Sequence, residues 1–221
     1  MMKAIIFDMD GTMVDNMTIH NQAWQIELRK HGIKMSLAEI KENLHGINIE
    51  LLEKNFGDRF TAEERMQISK HKELRYQAMF AKEIKLISGL GRLLNELHTA
   101  KIPMAIGTAA PPENVEFVLN HLPIYQFFVS ILHSDDVKNG KPDPEIYLKS
   151  AERLGLDVKD CLVFEDSITG AETTRRAGCE TIIVTTTHKE EEFAKFNHIR
   201  RFIKDYNDIS LSYLQKHYAL G

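Results

Sequence analysis

Lys3–Asp15 reads KAIIFDMDGTMVD. Ala4, Ile5, Ile6 and Phe7 form an apolar run of the length that fills a strand buried on both faces. The run stops at Asp8, and Asp10 follows two residues later with Gly11 beside it. Two carboxylates at the carboxyl end of a buried strand repel one another and lose hydration. A metal ion, a catalytic duty, or both would make that arrangement tolerable. An ordinary Asp-Gly turn leaving a strand has the same letters. The stretch by itself admits both readings.

Beyond Asp15 the periodicity changes. Asn16 stands where a helix N-cap is expected, and Ile19, Ala23, Ile26 and Leu28 recur at spacings suited to one helical face, with Gly32 as the stop. Ser36 with Glu39 three residues on is a capping-box pattern. Gly46 and Gly57 bracket a segment through Leu51, Leu52 and Phe56. Thr61, ahead of Glu63 and Glu64, opens a long polar helix reaching Phe80. Residues 16–84 therefore read as helical throughout.

From residue 85 onward, strands and helices alternate. The strands are expected at Pro103–Thr108, Phe128–His133, Cys161–Asp166 and Thr181–Val184, with a shorter one near Phe202. Helices are expected at Leu90–Ala100, from Pro112 through Leu119, at Pro144–Leu154, at Thr169–Ala177, and near Leu211. Such alternation implies right-handed crossovers and a parallel sheet. The expected fold is α/β, a doubly wound, Rossmann-like parallel sheet built by residues 1–15 and 85–221. An all-helical domain, residues 16–84, is inserted directly after the first strand.

That topology has a chemical consequence. Ligands of open parallel sheets bind beyond the carboxyl ends of the strands. Those ends carry Asp8 and Asp10, then Thr108, then the loop NGKPDP around Lys141, then Glu165 and Asp166. Singly, Thr108 reads as a turn residue, Lys141 as a solvated loop lysine, and Glu165-Asp166 as an acidic pair at a helix start. Together they put carboxylates, a hydroxyl and an ammonium on one rim.

Composition narrows the partners. With 28 basic and 32 acidic residues the net charge is −4, which argues against general nucleic-acid or anionic-membrane binding. Cys161 and Cys179 do not make a disulfide framework, so a reducing compartment is expected and Cys161 reads as inert core. Asp8 interrupts the N-terminal apolar run too early for a secretory signal, and no apolar run approaches the ~20 residues that span a bilayer. A cytoplasmic protein, monomeric by default, is the expectation.

The blocks DMDGT (8–12), Thr108, GKPDPEIY (140–147) and VFEDSITGAETTRRAG (163–178), with a helical insertion after the first, resemble the haloacid dehalogenase superfamily. The small helical insertion is similar to that of its β-phosphoglucomutase and sugar-phosphate phosphatase branch. The resemblance implies an Asp8 nucleophile, an Asp10 general acid and base, and phosphoryl contacts from Thr108 and Lys141. It implies Mg²⁺ held by Asp8, the Asp10 backbone carbonyl and Asp166, with Glu165 as a second ligand or an orienter. The inserted helices would be a cap domain that chooses the substrate. Around that substrate it points to Gly11, to His20 and Trp24 of the first cap helix, to His45 and Gly46, and to Ala109 after Thr108. Read as single residues, His20 is equally a surface histidine, Trp24 packs within the helices, and His45 is a loop residue.

Two departures from the mutases stand out. In the segment LHGINIE, His45 and Ile49 occupy positions where β-phosphoglucomutases carry a Lys and an Arg. A neutral Ile cannot supply the bidentate fork that grips a second phosphate. The segment AAPPE after Thr108 lacks the polar Ser and Lys of that second site. The implied activity is Mg²⁺-dependent hydrolysis of a small phosphate ester, such as a sugar phosphate, through an aspartyl-phosphate. Interconversion of β-glucose 1-phosphate and glucose 6-phosphate is the alternative.

Overall fold

The structure, a computed structural model, describes residues 2–44 and 46–221. It divides into two compact units, Met1–Asp15 with Lys85–Gly221, and Asn16–Ile84. The chain enters the first unit through β1 (Ala4–Phe7), whose four residues are all buried.

Among the described residues the second unit holds four α-helices, α1 (Met17–Lys30), α2 (Leu37–Asn43), α3 (Asn48–Phe56) and α4 (Ala62–Phe80). Ser36 and Thr61 form complete capping boxes with Glu39 and Glu64, so two helix starts are fixed by local hydrogen bonds. Asn16 occupies the N-cap position of α1 without capping through its side chain, which donates to the Tyr76 hydroxyl at 2.6 Å. The buried face of α1 is His20, Ala23, Trp24, Glu27 and Leu28, not the expected Ile19, Ala23, Ile26 and Leu28. Ile26 is 39% exposed. Trp24 and Leu28 set the face by packing with Ile40, Leu52 and Ile68. Two polar residues share it because each finds partners: Glu27, for one, accepts from Lys30 at 2.7 Å.

The first unit continues with α5 (Leu90–Thr99), β2 (Met104–Gly107), α6 (Pro112–His121), β3 (Ser130–Leu132) and α7 (Glu145–Arg153). It ends with β4 (Cys161–Glu165), α8 (Ile168–Ala177), β5 (Glu180–Val184), β6 (Ile199–Ile203) and α9 (Leu211–Tyr218). The six strands pair in parallel in the order β3-β2-β1-β4-β5-β6. This is the doubly wound order, whose direction of winding reverses between β1 and β4. β3 is shorter than the expected Phe128–His133, because the Phe128 N–H closes the preceding turn on Tyr125 O at 3.3 Å.

Side chains of successive strand residues point to opposite faces of the sheet. Ala4 and Ile6 pack with Ala105, Val163, Ile146, Tyr147 and Ala151. Phe7 stacks on Phe164 with centroids 5.1 Å apart. The register then fixes the site: Phe7 sits opposite Ile106 on β2 and Phe164 on β4. Asp8 and Glu165 therefore leave the sheet side by side, with Gly107 level with Asp8 on β2 and Thr108 one residue further on. Among the described residues, no helix is long and apolar enough to cross a membrane.

Candidate active site

Asp8 follows the last residue of β1, and its N–H donates to Phe164 O at 3.0 Å, holding the chain straight as it leaves the sheet. Its side chain is buried and accepts at Oδ1 from Lys141 Nζ at 2.7 Å. The same ammonium donates to Glu165 Oε1 at 2.6 Å. A loop lysine and two strand-end carboxylates, far apart in sequence, thus form one buried ion-pair chain.

Glu165 is fully used. Oε1 accepts from Lys141 and from the Tyr147 hydroxyl at 2.7 Å, and Oε2 accepts from the Asp166 and Ser167 N–H groups and the Ser167 hydroxyl at 2.9, 3.1 and 3.1 Å. Burial alone would raise its pKa; Lys141, Tyr147 and the Ser167 amide outweigh that and hold it below the usual range. Ser167 also caps α8 by accepting from the Gly170 N–H at 2.9 Å.

Asp166 is 3% exposed and accepts at Oδ2 from the Thr187 hydroxyl. Gly11 presses against it: at φ +76° a Cβ on Gly11 would overlap the Asp166 carboxylate. This is the position where the chain requires glycine, both for its left-handed backbone and for the close approach. The Gly11 N–H donates to Val14 O at 2.8 Å, so its amide closes its own loop. The same loop is tied down by the Thr186 hydroxyl on Gly11 O and by the Tyr206 hydroxyl on Thr12 O at 3.0 Å.

Thr108 is 2% exposed at the end of β2. Its Oγ1 accepts from the Ala110 N–H at 3.1 Å, which leaves its own O–H to donate elsewhere. Ala109, between them, is half-buried on the same loop, and Asp10 is half-buried beside Asp8.

Among the described residues, Asp8, Glu165 and Asp166 are the group placed to hold a metal ion, each offering an oxygen within 4.8 Å of the others. Three buried carboxylates against one ammonium leave excess negative charge. Burial, chiefly, pushes the Asp8 carboxyl up to about 7, with Glu165 and Asp10 adding to the shift and Lys141 opposing it. Burial followed by the Glu165 and Asp8 charges pushes Asp166 well above its usual range. Burial would lower the Lys141 pKa, but Asp8 and Glu165 overcome it and raise it. An all-oxygen donor set with uncompensated negative charge suits a hard divalent cation such as Mg²⁺. Because both Glu165 oxygens are already taken, Asp8 and Asp166 are the carboxylates with oxygens to give.

The remaining sequence candidates belong to the helical unit. His20 is buried, its ring 3.7 Å from that of Tyr76 and its Nδ1 2.8 Å from Lys72 Nζ. An ammonium can only donate, so Nδ1 is the acceptor and His20 is a neutral Nε2–H tautomer. Burial, then Lys72, pushes its pKa down to about 3. Lys72 also donates to Glu73 at 2.7 Å and lies 5.4 Å from the Trp24 ring centre. Trp24, a candidate for substrate contact, is 2% exposed and part of the helical core. Gly46 lies in a loop at φ +118° with nothing within 4 Å of a Cβ. His45 lies outside the described residues.

The sequence reading passed over Tyr147, Ser167, Thr186 and Thr187. Tyr147 closes the block GKPDPEIY, and Thr185–Thr187 begin where β5 ends. The rule that strand ends hold ligands pointed at that threonine run.

Known proteins resemble this chain in sequence and in fold. The sequence model for haloacid dehalogenase-like hydrolases matches residues 2–178. The chain is 31% identical over 185 residues to β-phosphoglucomutase of Bacillus subtilis, covering 80% of each protein. It is 31% identical over 185 residues to hexitol phosphatase A of Escherichia coli, covering 82% of each. Its fold is similar to a crystal structure of β-phosphoglucomutase from Clostridium difficile, with a TM-score of 0.86, 26% identity, and 99% and 98% of the two chains covered. The chain belongs to the haloacid dehalogenase-like hydrolase family.

Proposed function

We propose that this enzyme is a Mg²⁺-dependent phosphatase that hydrolyses a small phosphate ester, with sugar phosphates as the first substrate class. The observation that carries the proposal is the buried Asp8–Lys141–Glu165 chain, with Lys141 Nζ 2.7 Å from Asp8 Oδ1 and 2.6 Å from Glu165 Oε1. It would set a carboxylate nucleophile next to a cation that neutralises phosphoryl oxygens, both of them buried side chains. Residues 1–15 and 85–221 are the proposed catalytic core, and 16–84 the cap domain.

In this reading a carboxylate oxygen of Asp8 attacks phosphorus as the bond to the leaving oxygen breaks, giving an aspartyl-phosphate. Asp10 gives its proton to that leaving oxygen, then takes one from the water that attacks the aspartyl-phosphate. Phosphate leaves and Asp8 is restored. Lys141 and the Thr108 hydroxyl steady the equatorial phosphoryl oxygens through both steps. Glu165 acts as orienter of Lys141. Asp8, Asp166 and the Asp10 carbonyl would hold Mg²⁺, whose chemistry there is to neutralise charge on the phosphoryl group and align it.

A mutase is the second reading, favoured by the similarity to β-phosphoglucomutase of Bacillus subtilis. It ranks below the phosphatase because Ile49, 41% exposed, stands where a second phosphate would need a cationic fork.

A panel of phosphate esters, assayed for phosphate release with Mg²⁺ and with EDTA, tests the proposal. Metal-dependent release from several hexose or pentose phosphates is expected. Conversion of β-glucose 1-phosphate to glucose 6-phosphate, stimulated by the bisphosphate, would reverse the ranking.

A further inference from the structure

We infer that Tyr147 is the positioning residue for Lys141, holding its ammonium so that one N–H is left to pass from the nucleophile to the phosphoryl group. The inference rests on the phosphoryl-transfer reading above.

A lysine ammonium has three N–H donors and no acceptor. In this site all three have takers: Asp8 Oδ1 at 2.7 Å, Glu165 Oε1 at 2.6 Å and the Tyr147 hydroxyl at 2.8 Å. The Tyr147 hydroxyl in turn donates to Glu165 Oε1 at 2.7 Å, so its lone pair is what Lys141 meets. The three groups close a triangle. The ammonium also lies 4.8 Å from the centre of the Tyr147 ring.

Two of the three acceptors sit on rigid elements. Glu165 ends β4, and Tyr147 is a wholly buried residue of α7 packed against Ile6, Ala105 and Val163. Gly107 on β2 lies directly beneath the same helix, since a Cβ there would come 2.9 Å from Ser150 Oγ and 3.4 Å from Tyr147 Cδ1. Lys141 itself precedes α7 in a turn and carries a four-carbon stem with several rotatable bonds. Without a fixed second acceptor, the ammonium would follow whichever carboxylate is nearest.

The third acceptor, Asp8 Oδ1, belongs to the proposed nucleophile. When a phosphoryl group enters, the N–H aimed at Asp8 turns to a phosphoryl oxygen while Tyr147 and Glu165 keep the other two. Replacing Tyr147 by Phe keeps the ring and its packing and removes one leg of the triangle. An N–H of a buried ammonium is then left unsatisfied, and the ammonium leans on the carboxylates instead. The loss falls on the transition state, where phosphoryl charge spreads over the equatorial oxygens.

The test compares wild type with Tyr147→Phe on p-nitrophenyl phosphate with Mg²⁺, together with inhibition by orthovanadate, which mimics the five-coordinate phosphoryl group. The expected result is kcat lower by about tenfold, KM changed by less than about twofold, and the vanadate inhibition constant raised by about tenfold. A variant that is merely less well folded loses kcat with its vanadate constant unchanged, because that constant does not depend on the fraction of active enzyme. That outcome, or an unchanged kcat, overturns the assignment of Tyr147 and leaves the phosphatase reading intact. Wild type that releases no phosphate from this ester or from the sugar-phosphate panel overturns the reading on which the inference rests.

Discussion

Gly170, in the first turn of α8, lies so close to Glu165 that a methyl group on it would occupy the space of the Glu165 carboxylate. Ala for Gly inside a helix ordinarily gains about 1 kcal/mol. Here steric overlap opposes that gain, because Glu165 is fully buried and anchored by five hydrogen bonds. Gly170→Ala is expected to lower both the melting temperature and turnover, the latter by about tenfold or more as Lys141 loses its anchor. Thermal melts and steady-state assays on p-nitrophenyl phosphate check it. A more stable variant of full activity would contradict the packing described here.

Metal binding is expected to release protons. Asp8 is pushed up to about 7 and Asp166 well above its usual range, chiefly by burial, so the metal-free site retains protons that a cation must displace. Mg²⁺ affinity should therefore rise with pH until Asp8 is ionised near pH 7 and fall away on the acid side. Titration calorimetry in two buffers of different ionisation enthalpy reads the proton count directly. Asp166→Asn should weaken binding by at least about tenfold.

Thr187 supports Asp166 by donating its hydroxyl to Oδ2. Thr187→Val, which keeps shape and removes the donor, should weaken Mg²⁺ binding by about tenfold, and Thr187→Ser should restore most of it. Calorimetric binding constants for the two variants decide the matter. Loss in Thr187→Ser with none in Thr187→Val would mean that the methyl group, not the hydroxyl, is what matters.

The helical unit carries its own pH dependence. His20 is pushed from 6.5 down to about 3 by burial and by Lys72, so it stays neutral in the folded chain while the unfolded chain takes up a proton. A depressed folded pKa gives stability that is whole above about pH 6.5 and drains away as pH falls toward 3, by up to about 5 kcal/mol. His20→Gln, which still accepts from Lys72, should flatten the fall in melting temperature between about pH 6.5 and 4.5. An unchanged slope would show that other groups govern it.

The strand–helix alternation made the sheet legible, because buried parallel strands are continuous apolar runs and their carboxyl ends are conspicuous when polar. Asp8, Thr108, Lys141, Glu165 and Asp166 could all be picked out that way. The face of α1 was harder to read, since His20 and Glu27 occupy buried positions that a count of apolar residues passes over. The division of labour among the carboxylates was not legible either. Glu165 and Asp166 are adjacent letters, and only the five donors around the first set it apart from a residue with an oxygen to spare. Tyr147 and Thr187 escaped for a similar reason: a hydroxyl's duty depends on what lies across the strand ends from it.

The account depends most on Asp8 as the group that takes the phosphoryl. p-Nitrophenolate leaves without a proton, so Asp10→Asn should still transfer from p-nitrophenyl phosphate but should stall at the hydrolysis of the intermediate. Intact-protein mass spectrometry of Asp10→Asn, quenched after mixing with this ester and Mg²⁺, is the direct measurement. The predicted result is one added phosphoryl group, mapped to Asp8 and absent from the Asp8→Asn, Asp10→Asn double variant. Turnover by wild type with no phosphorylated protein in Asp10→Asn, or a phosphoryl group on any residue other than Asp8, would contradict it.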